Sequence, residues 1–227
     1  MSNELASEFK DELQHLLDRV VAETRATGQL TGCFALSERV LAALAAVPRH
    51  YFVPVERREW AYADMPLPIG RGQTISQPFI VALMTELLAP EPDAVVLEVG
   101  AGSGYQTAVL ARLVRQVYSV ERIPQLAESA RRRLRELGYA NVEVRADDGG
   151  RGWEEHAPFD GIMVTAAAAE IPPALVQQLK PGGRLVVPVG AQGQSQDLLL
   201  LRKDERGRVE SCSVLPVVFV PLIRDVE

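Results

Sequence analysis

Hydrophobic and polar positions follow two different periods in this chain, and the change comes near residue 95. Before it, Leu13, Leu16, Leu17, Val20 and Val21 recur at helical spacing and predict an amphipathic helix over residues 4–25, stopped by Gly28. Ser37 is placed to cap a second helix that carries Val40, Leu41 and Leu44 on one face and ends before Pro48. Residues 49–68 hold Tyr51, Phe52, Trp60 and Tyr62 among prolines without any period, and read as an ordered cap over the ligand edge of a sheet. A third helix starts at Pro78, whose missing N–H costs nothing in a first turn, with Ile80, Val81, Met84, Leu87 and Leu88 as its apolar face.

From residue 95 on, short apolar runs at 95–99, 117–120, 141–145, 159–165 and 184–189 alternate with helical segments at 105–110, 124–137 and 171–179. Two further strands, 198–202 and 214–220, follow across a charged hairpin around Gly207. The order predicts an α/β, doubly wound, Rossmann-like sandwich. Its sheet is seven-stranded and mostly parallel, with antiparallel strands at the C-terminal end. We expect one domain over residues 1–227, made of an N-terminal helical and cap extension (1–78) and an α/β core that binds the cofactor (79–227).

Composition narrows the functions open to such a fold. With 227 residues and 47% hydrophobic content, the chain can bury one substantial core. A net charge of −6 argues against broad affinity for nucleic acid or anionic membranes, which need a basic face. The longest apolar run, residues 214–223, is short and broken by Pro216 and Pro221, and the acidic N-terminus lacks the order of a secretion signal. Cys33 and Cys212 are too few for a disulfide framework, and His15, His50 and His156 show no ligand spacing. The expectation is a cytoplasmic, monomeric protein without a metal, a nucleic-acid partner or a membrane span.

The candidate chemistry centres on residues 95–110, where a β-branched run ends in Gly100, Gly102 and Gly104 and passes into a helical pattern. Alternating glycines allow positive φ and the close approach of a ligand, while the free N–H groups of the helix start face it. A dinucleotide fingerprint needs its third small residue one position later, where Tyr105 stands. The acidic-x-Gly-x-Gly-x-Gly pattern from Glu98 to Gly104 resembles instead the first motif of Rossmann-like S-adenosylmethionine-dependent methyltransferases. Glu121, at the tip of the next strand, is placed to accept from both ribose hydroxyls of a nucleoside. A carboxylate in the 147–148 pair suits the exocyclic amine of an adenine. Ser76 or Gln77, in the glycine-flanked loop 70–78, sits at the cap of the third helix; spacing alone reads Ser76 as no more than such a cap, and no Gly-x-Ser-x-Gly elbow surrounds it.

Gly72-Gln73-Thr74-Ile75-Ser76-Gln77-Pro78, Leu97 to Tyr105, Ala157-Pro158-Phe159-Asp160, Thr165-Ala166-Ala167, Ile171-Pro172, Pro181-Gly182-Gly183 and Val220-Pro221-Leu222 occur in that order. Together they closely resemble the protein-L-isoaspartate O-methyltransferases, a family of protein repair enzymes, over nearly the whole chain. The resemblance implies methyl transfer from S-adenosylmethionine to the free α-carboxylate of L-isoaspartyl residues in damaged proteins and peptides, with repair through a succinimide. It implies a cofactor site of Thr74, Glu98, Gly100, Ala101, Gly102, Gly104, Glu121, Asp148 and Gly149. It makes Ser76 the catalytic contact and places Ile75, Ser76, Val220, Pro221 and Leu222 on the substrate. One departure stands out: Asp147 replaces the first glycine of the family's Gly-Asp-Gly adenine loop. Two other readings fit the same residues: a methyltransferase with a different acceptor, and a cofactor-binding module without catalysis.

Overall fold

The computed structural model of the chain describes residues 9–191 and 193–223. Its centre is a seven-stranded sheet in which strand order departs from chain order. After a small antiparallel hairpin of β1 (Leu67–Gly70) and β2 (Gln73–Ile75), the strands are β3 (Val95–Val99), β4 (Gln116–Glu121), β5 (Val142–Ala146), β6 (Phe159–Val164), β7 (Leu179–Val189), β8 (Gln196–Lys203) and β9 (Val209–Val217). The sheet runs β5-β4-β3-β6-β7-β8-β9. The first five of these are parallel, whereas β8 and β9 pair antiparallel. The chain therefore winds outward from β3 in one direction, then crosses back to lay β6 on its other side. Ligands of such sheets sit at this reversal, beyond the strand C-termini.

Alternation along the central strands feeds two cores. Val96, Met163 and Val186 face a cluster with side chains from α1 (Lys10–Thr31), α2 (Glu38–Ala46), α3 (Pro78–Leu88), α4 (Tyr105–Ala111) and α5 (Pro124–Glu136). Leu97, Ile162, Leu185 and Val187 face a smaller cluster with Leu175 of α6 (Pro173–Gln178) and Trp153. Burial on both faces explains why these strands read as continuous apolar runs.

Several boundaries differ from expectation for identifiable reasons. The first helix continues to Thr31 and is capped by Gly32, at φ 70°, whose N–H donates to the Gly28 carbonyl. Gly28 lies inside the helix because Phe34 packs on it; a Cβ there would come within 2.5 Å of the Phe34 ring. The expected residues 4–8 of this helix lie outside the described residues. Residues 67–75, read as cap and loop, form the β1–β2 hairpin. The last strand starts and ends earlier than its apolar run, at Val209 and Val217, so residues 218–223 leave the sheet. Two arginines of α5 reach beyond their own helix: Arg131 donates to the Val144 carbonyl, and Arg133 donates to that of Ser103 at 2.7 Å.

Candidate active site

Positive backbone φ shapes the turn after β3. Gly100 and Gly102 hold φ 102° and 52°, and Gly104 caps α4 at φ 88°. A Cβ at Gly100 would fall 2.5 Å from Thr165 Oγ1, so only glycine lets the first turn residue pack against the end of β6. Gly100 N–H donates to the Val120 carbonyl, and Thr165 Oγ1 donates to the Gly100 carbonyl at 2.6 Å. Gly104 faces away from the turn's open side, toward Leu134 and Ala130 of α5.

Glu121 closes one side. Its Oε2 accepts from Gly102 N–H at 2.8 Å and its Oε1 accepts from Ile123 N–H at 2.9 Å, so the carboxylate is fixed across the glycine turn. Glu98 lies beneath, fully buried, with Oε2 accepting from both Thr107 and Ser119 hydroxyls at 2.5 Å. Its Oε1 is buried without a hydrogen-bond partner. Burial raises the Glu98 pKa to about 7, aided by the charge of Glu121 and opposed by the two hydroxyls.

Opposite the glycine turn stand residues 73–76, delivered by β2, and residues 220–223, which return from β9. The returning segment is tied to the end of β6: Ala167 N–H donates to the Val220 carbonyl, and Leu222 N–H donates to the Ala167 carbonyl, both at 2.8 Å. Gln196, buried in β8, accepts from Phe219 N–H at 2.8 Å and donates to the Gln194 carbonyl. Ser76 is not the cap of α3, a position held by Gln77 with Pro78 in the first turn; its side chain is free of that structural task.

These walls enclose a cleft of about 700 Å³, its open mouth included, and Ser76, Gly100, Gly102, Glu121, Thr165 and Val220 all line it. Thr74, Ile75, Ala101, Pro221 and Leu222 complete the sequence-derived residues on its surface. Glu98, Gly104, Asp148 and Gly149 do not line it. Asp148 is buried and accepts from Gly150 N–H, while Gly149 packs on Val99 so closely that a Cβ would come within 2.3 Å. Asp147 has both oxygens engaged, one accepting from Asp148 N–H and the other 3.3 Å from Arg145.

Sequence reasoning missed two residues that build this site. Gln196 lies between the expected strands 184–189 and 198–202 and was assigned to neither, although Gln196, Leu198 and Leu200 already alternate toward the core. Arg49 sat in the stretch without period; it is fully buried and donates to the Ser76 carbonyl at 2.8 Å, and nothing in its local pattern signals that.

The family model described as protein-L-isoaspartate(D-aspartate) O-methyltransferase matches residues 23–227. A protein-L-isoaspartate O-methyltransferase 2 of Syntrophobacter fumaroxidans is 56% identical over 207 residues, covering 91% of this chain and 84% of its own. Its namesake in a Polaromonas species is also 56% identical over 207 residues, with 91% and 98% covered. A solved structure titled protein-L-isoaspartate O-methyltransferase superposes with a TM-score of 0.77 at 29% identity; the match covers 90% of this chain and 65% of that one. The chain belongs to the protein-L-isoaspartate(D-aspartate) O-methyltransferase family.

Proposed function

We propose that this chain transfers the methyl group of S-adenosylmethionine to the free α-carboxylate of L-isoaspartyl residues in damaged proteins and peptides. One observation carries the reading: the glycine turn with Glu121 and the Ser76 loop with residues 220–222 face each other across a single cleft. The cofactor supplies a methyl group already activated on a sulfonium.

The residues fit that group. Each Glu121 oxygen holds one backbone N–H and retains capacity to accept from a ribose hydroxyl. Gly100, Ala101 and Gly102 offer a wall of backbone with little side chain, and Thr74 faces them from β2. Glu98, buried beneath the turn, braces it by accepting from Thr107 of α4 and Ser119 of β4. Gly104 lets α4 start against α5. We assign the adenine contact to Asp148 with Gly149 rather than to Asp147, whose exposed carboxylate turns toward Arg145 at 3.3 Å.

The acceptor is an α-carboxylate, ionised at neutral pH because its pKa is about 3 to 4, so no general base is required. Ser76 offers a neutral hydroxyl, and Thr74, Ile75 and residues 220–222 beside it on the cleft carry no formal charge. That suits a reaction in which the acceptor loses its charge: a direct ion pair would stabilise the ground state more than the transition state. Ile75 and residues 220–222 seat the flanking peptide and exclude water, holding oxygen, methyl and sulfur in line. In the ester product the amide nitrogen of the following residue attacks the ester carbonyl and expels methanol, its proton leaving with the alkoxide, so the succinimide closes without further help from the protein.

The division of labour follows the chain, with the extension (1–78) supplying Thr74, Ile75 and Ser76 and the core (79–227) supplying the cofactor turn. Cys33 and Cys212 are both free thiols, as suits the cytoplasm. Among the described residues no helix is long and apolar enough to cross a membrane. Family membership and the place of Ser76 on the cleft support this reading over another acceptor or a silent binding module.

The test is transfer from labelled S-adenosylmethionine to matched peptides carrying isoaspartate or aspartate at one position. Methylation of only the isoaspartyl peptide, lowered about 10-fold in kcat/KM by Ser76→Ala, is expected. Cofactor binding without transfer to either peptide would overturn the reading.

A further inference from the structure

Arg49 stands behind the cleft rather than on it. It follows α2 directly and is fully buried, an unusual state for an arginine. Its Nη2 donates to the Ser76 carbonyl at 2.8 Å and to the Met65 carbonyl at 3.4 Å. The guanidinium also lies over the ring of Tyr105, 4.8 Å from its centroid, immediately after the glycine turn. Nε and Nη1 have no hydrogen-bond partner and are buried.

Asp64 works on the same loop. It accepts from Phe79 N–H at 2.9 Å and from Gln77 Nε2 at 3.2 Å, and its charge favours the Arg49 cation. Burial pushes the Arg49 pKa down, yet a guanidinium starts so far above neutrality that it stays charged. Filling this space does not call for a charge with two unused donors, since an unbranched apolar side chain would avoid the desolvation cost. The charge therefore asks for a function.

We propose that Arg49 is a positioning residue for the acceptor: it fixes the Ser76 loop through the backbone and places a cation, with Asp64 as its counter-charge, behind that side of the cleft without touching the carboxylate. A cation one layer back, in a medium of low dielectric, attracts the anion over several ångströms. It leaves the reacting oxygen to neutral donors, so little of the attraction must be surrendered when the carboxylate becomes an ester. Contact with Tyr105 ties the acceptor loop to the cofactor turn, which keeps the two walls at a constant separation.

This inference rests on the carboxylate-acceptor reading. It is tested by comparing Arg49→Lys, Arg49→Gln and Arg49→Met with wild type for peptide KM, kcat, cofactor Kd and melting temperature. Gln and Met should raise KM for an isoaspartyl peptide about 10-fold to 100-fold while cofactor Kd stays within about 3-fold, and Lys should recover most of the loss. An unchanged KM in Gln and Met overturns the proposal. So does a parallel fall in kcat, cofactor affinity and melting temperature, which marks a purely structural residue. If Met fails to fold, Lys against Gln decides the matter, because Gln keeps a donor and Lys keeps the charge. Absence of transfer by the wild type defeats the functional reading itself; wild-type transfer with indifferent variants defeats only the role of Arg49.

Discussion

On one side of the cleft, residues 100–104 take their geometry from neighbouring strand ends: Gly100 N–H bonds to Val120, Gly102 N–H to Glu121, and the Gly100 carbonyl to Thr165. On the other side, Ser76 is held by Arg49, 27 positions earlier, and residues 220–222 are held by Ala167 while Gln196 anchors neighbouring Phe219. The first wall is part of the sheet and inherits its rigidity. The second is assembled from connecting segments that meet only after the sheet has formed, so it depends on a few buried polar contacts, each worth one or two kcal/mol. Damage to the first wall should appear in cofactor binding, and damage to the second in peptide KM.

The sharpest way to break that contrast is Gly100→Ala. The φ of 102° and the 2.5 Å approach of Thr165 Oγ1 should cost about 3 kcal/mol or more, seen by calorimetry as at least about 100-fold weaker cofactor binding. Near-normal binding would mean that the turn is softer than its position in the sheet implies.

Glu98 tests the support beneath the turn through pH. Its pKa is raised from 4.5 to about 7, so the folded protein holds a proton there that the unfolded chain releases. The stability this provides is fully present below about 4.5 and is lost as pH rises toward 7, on the order of 3 kcal/mol. Denaturant titrations of wild type and Glu98→Gln across that window should show a slope in the first that is flattened in the second; equal slopes would remove Glu98 as its source.

Glu121→Gln keeps the shape and removes the charge. Cofactor Kd should rise about 10-fold to 100-fold with peptide KM nearly unchanged, because the carboxylate bonds only within the cofactor wall. A larger effect on the peptide than on the cofactor would contradict the separation of the two walls.

Gln196→Leu makes the smallest change, on the acceptor side. Loss of the acceptor for Phe219 N–H should loosen residues 220–222 and raise peptide KM about 5-fold, with cofactor Kd unaltered. Hydrogen exchange at Phe219 should quicken in the same variant, and protection equal to wild type would show that Gln196 does not anchor the segment.

Legibility in the sequence follows the same division. Strands β3 to β7 and the glycine turn show in short stretches, since a buried parallel strand must be continuously apolar and a tight turn with positive φ must carry glycine. Ser76 was visible as a residue but not as a site from spacing, because Ser76 and Gln77 both stand where the cap of the next helix falls; the structure gives the cap to Gln77. The helix boundary failed at Gly28 because a glycine that makes room for Phe34 looks, in one dimension, like a glycine that ends a helix. Glu98, drawn by motif onto the cofactor, is fully buried and held by Thr107 and Ser119, partners that lie 9 and 21 positions away in the chain.

The sequence by itself determined the α/β sandwich, the glycine turn and, through ordered motifs, the family, because local periodicity and backbone sterics leave their record in neighbouring residues. Tertiary structure alone decided that β6 returns beside β3, that the 220–222 segment closes on Ala167, and that Arg49 reaches Ser76 from behind. Those contacts join residues far apart in the chain, and the burial and dielectric that give a carboxyl or a guanidinium its character exist only once the surrounding elements have packed.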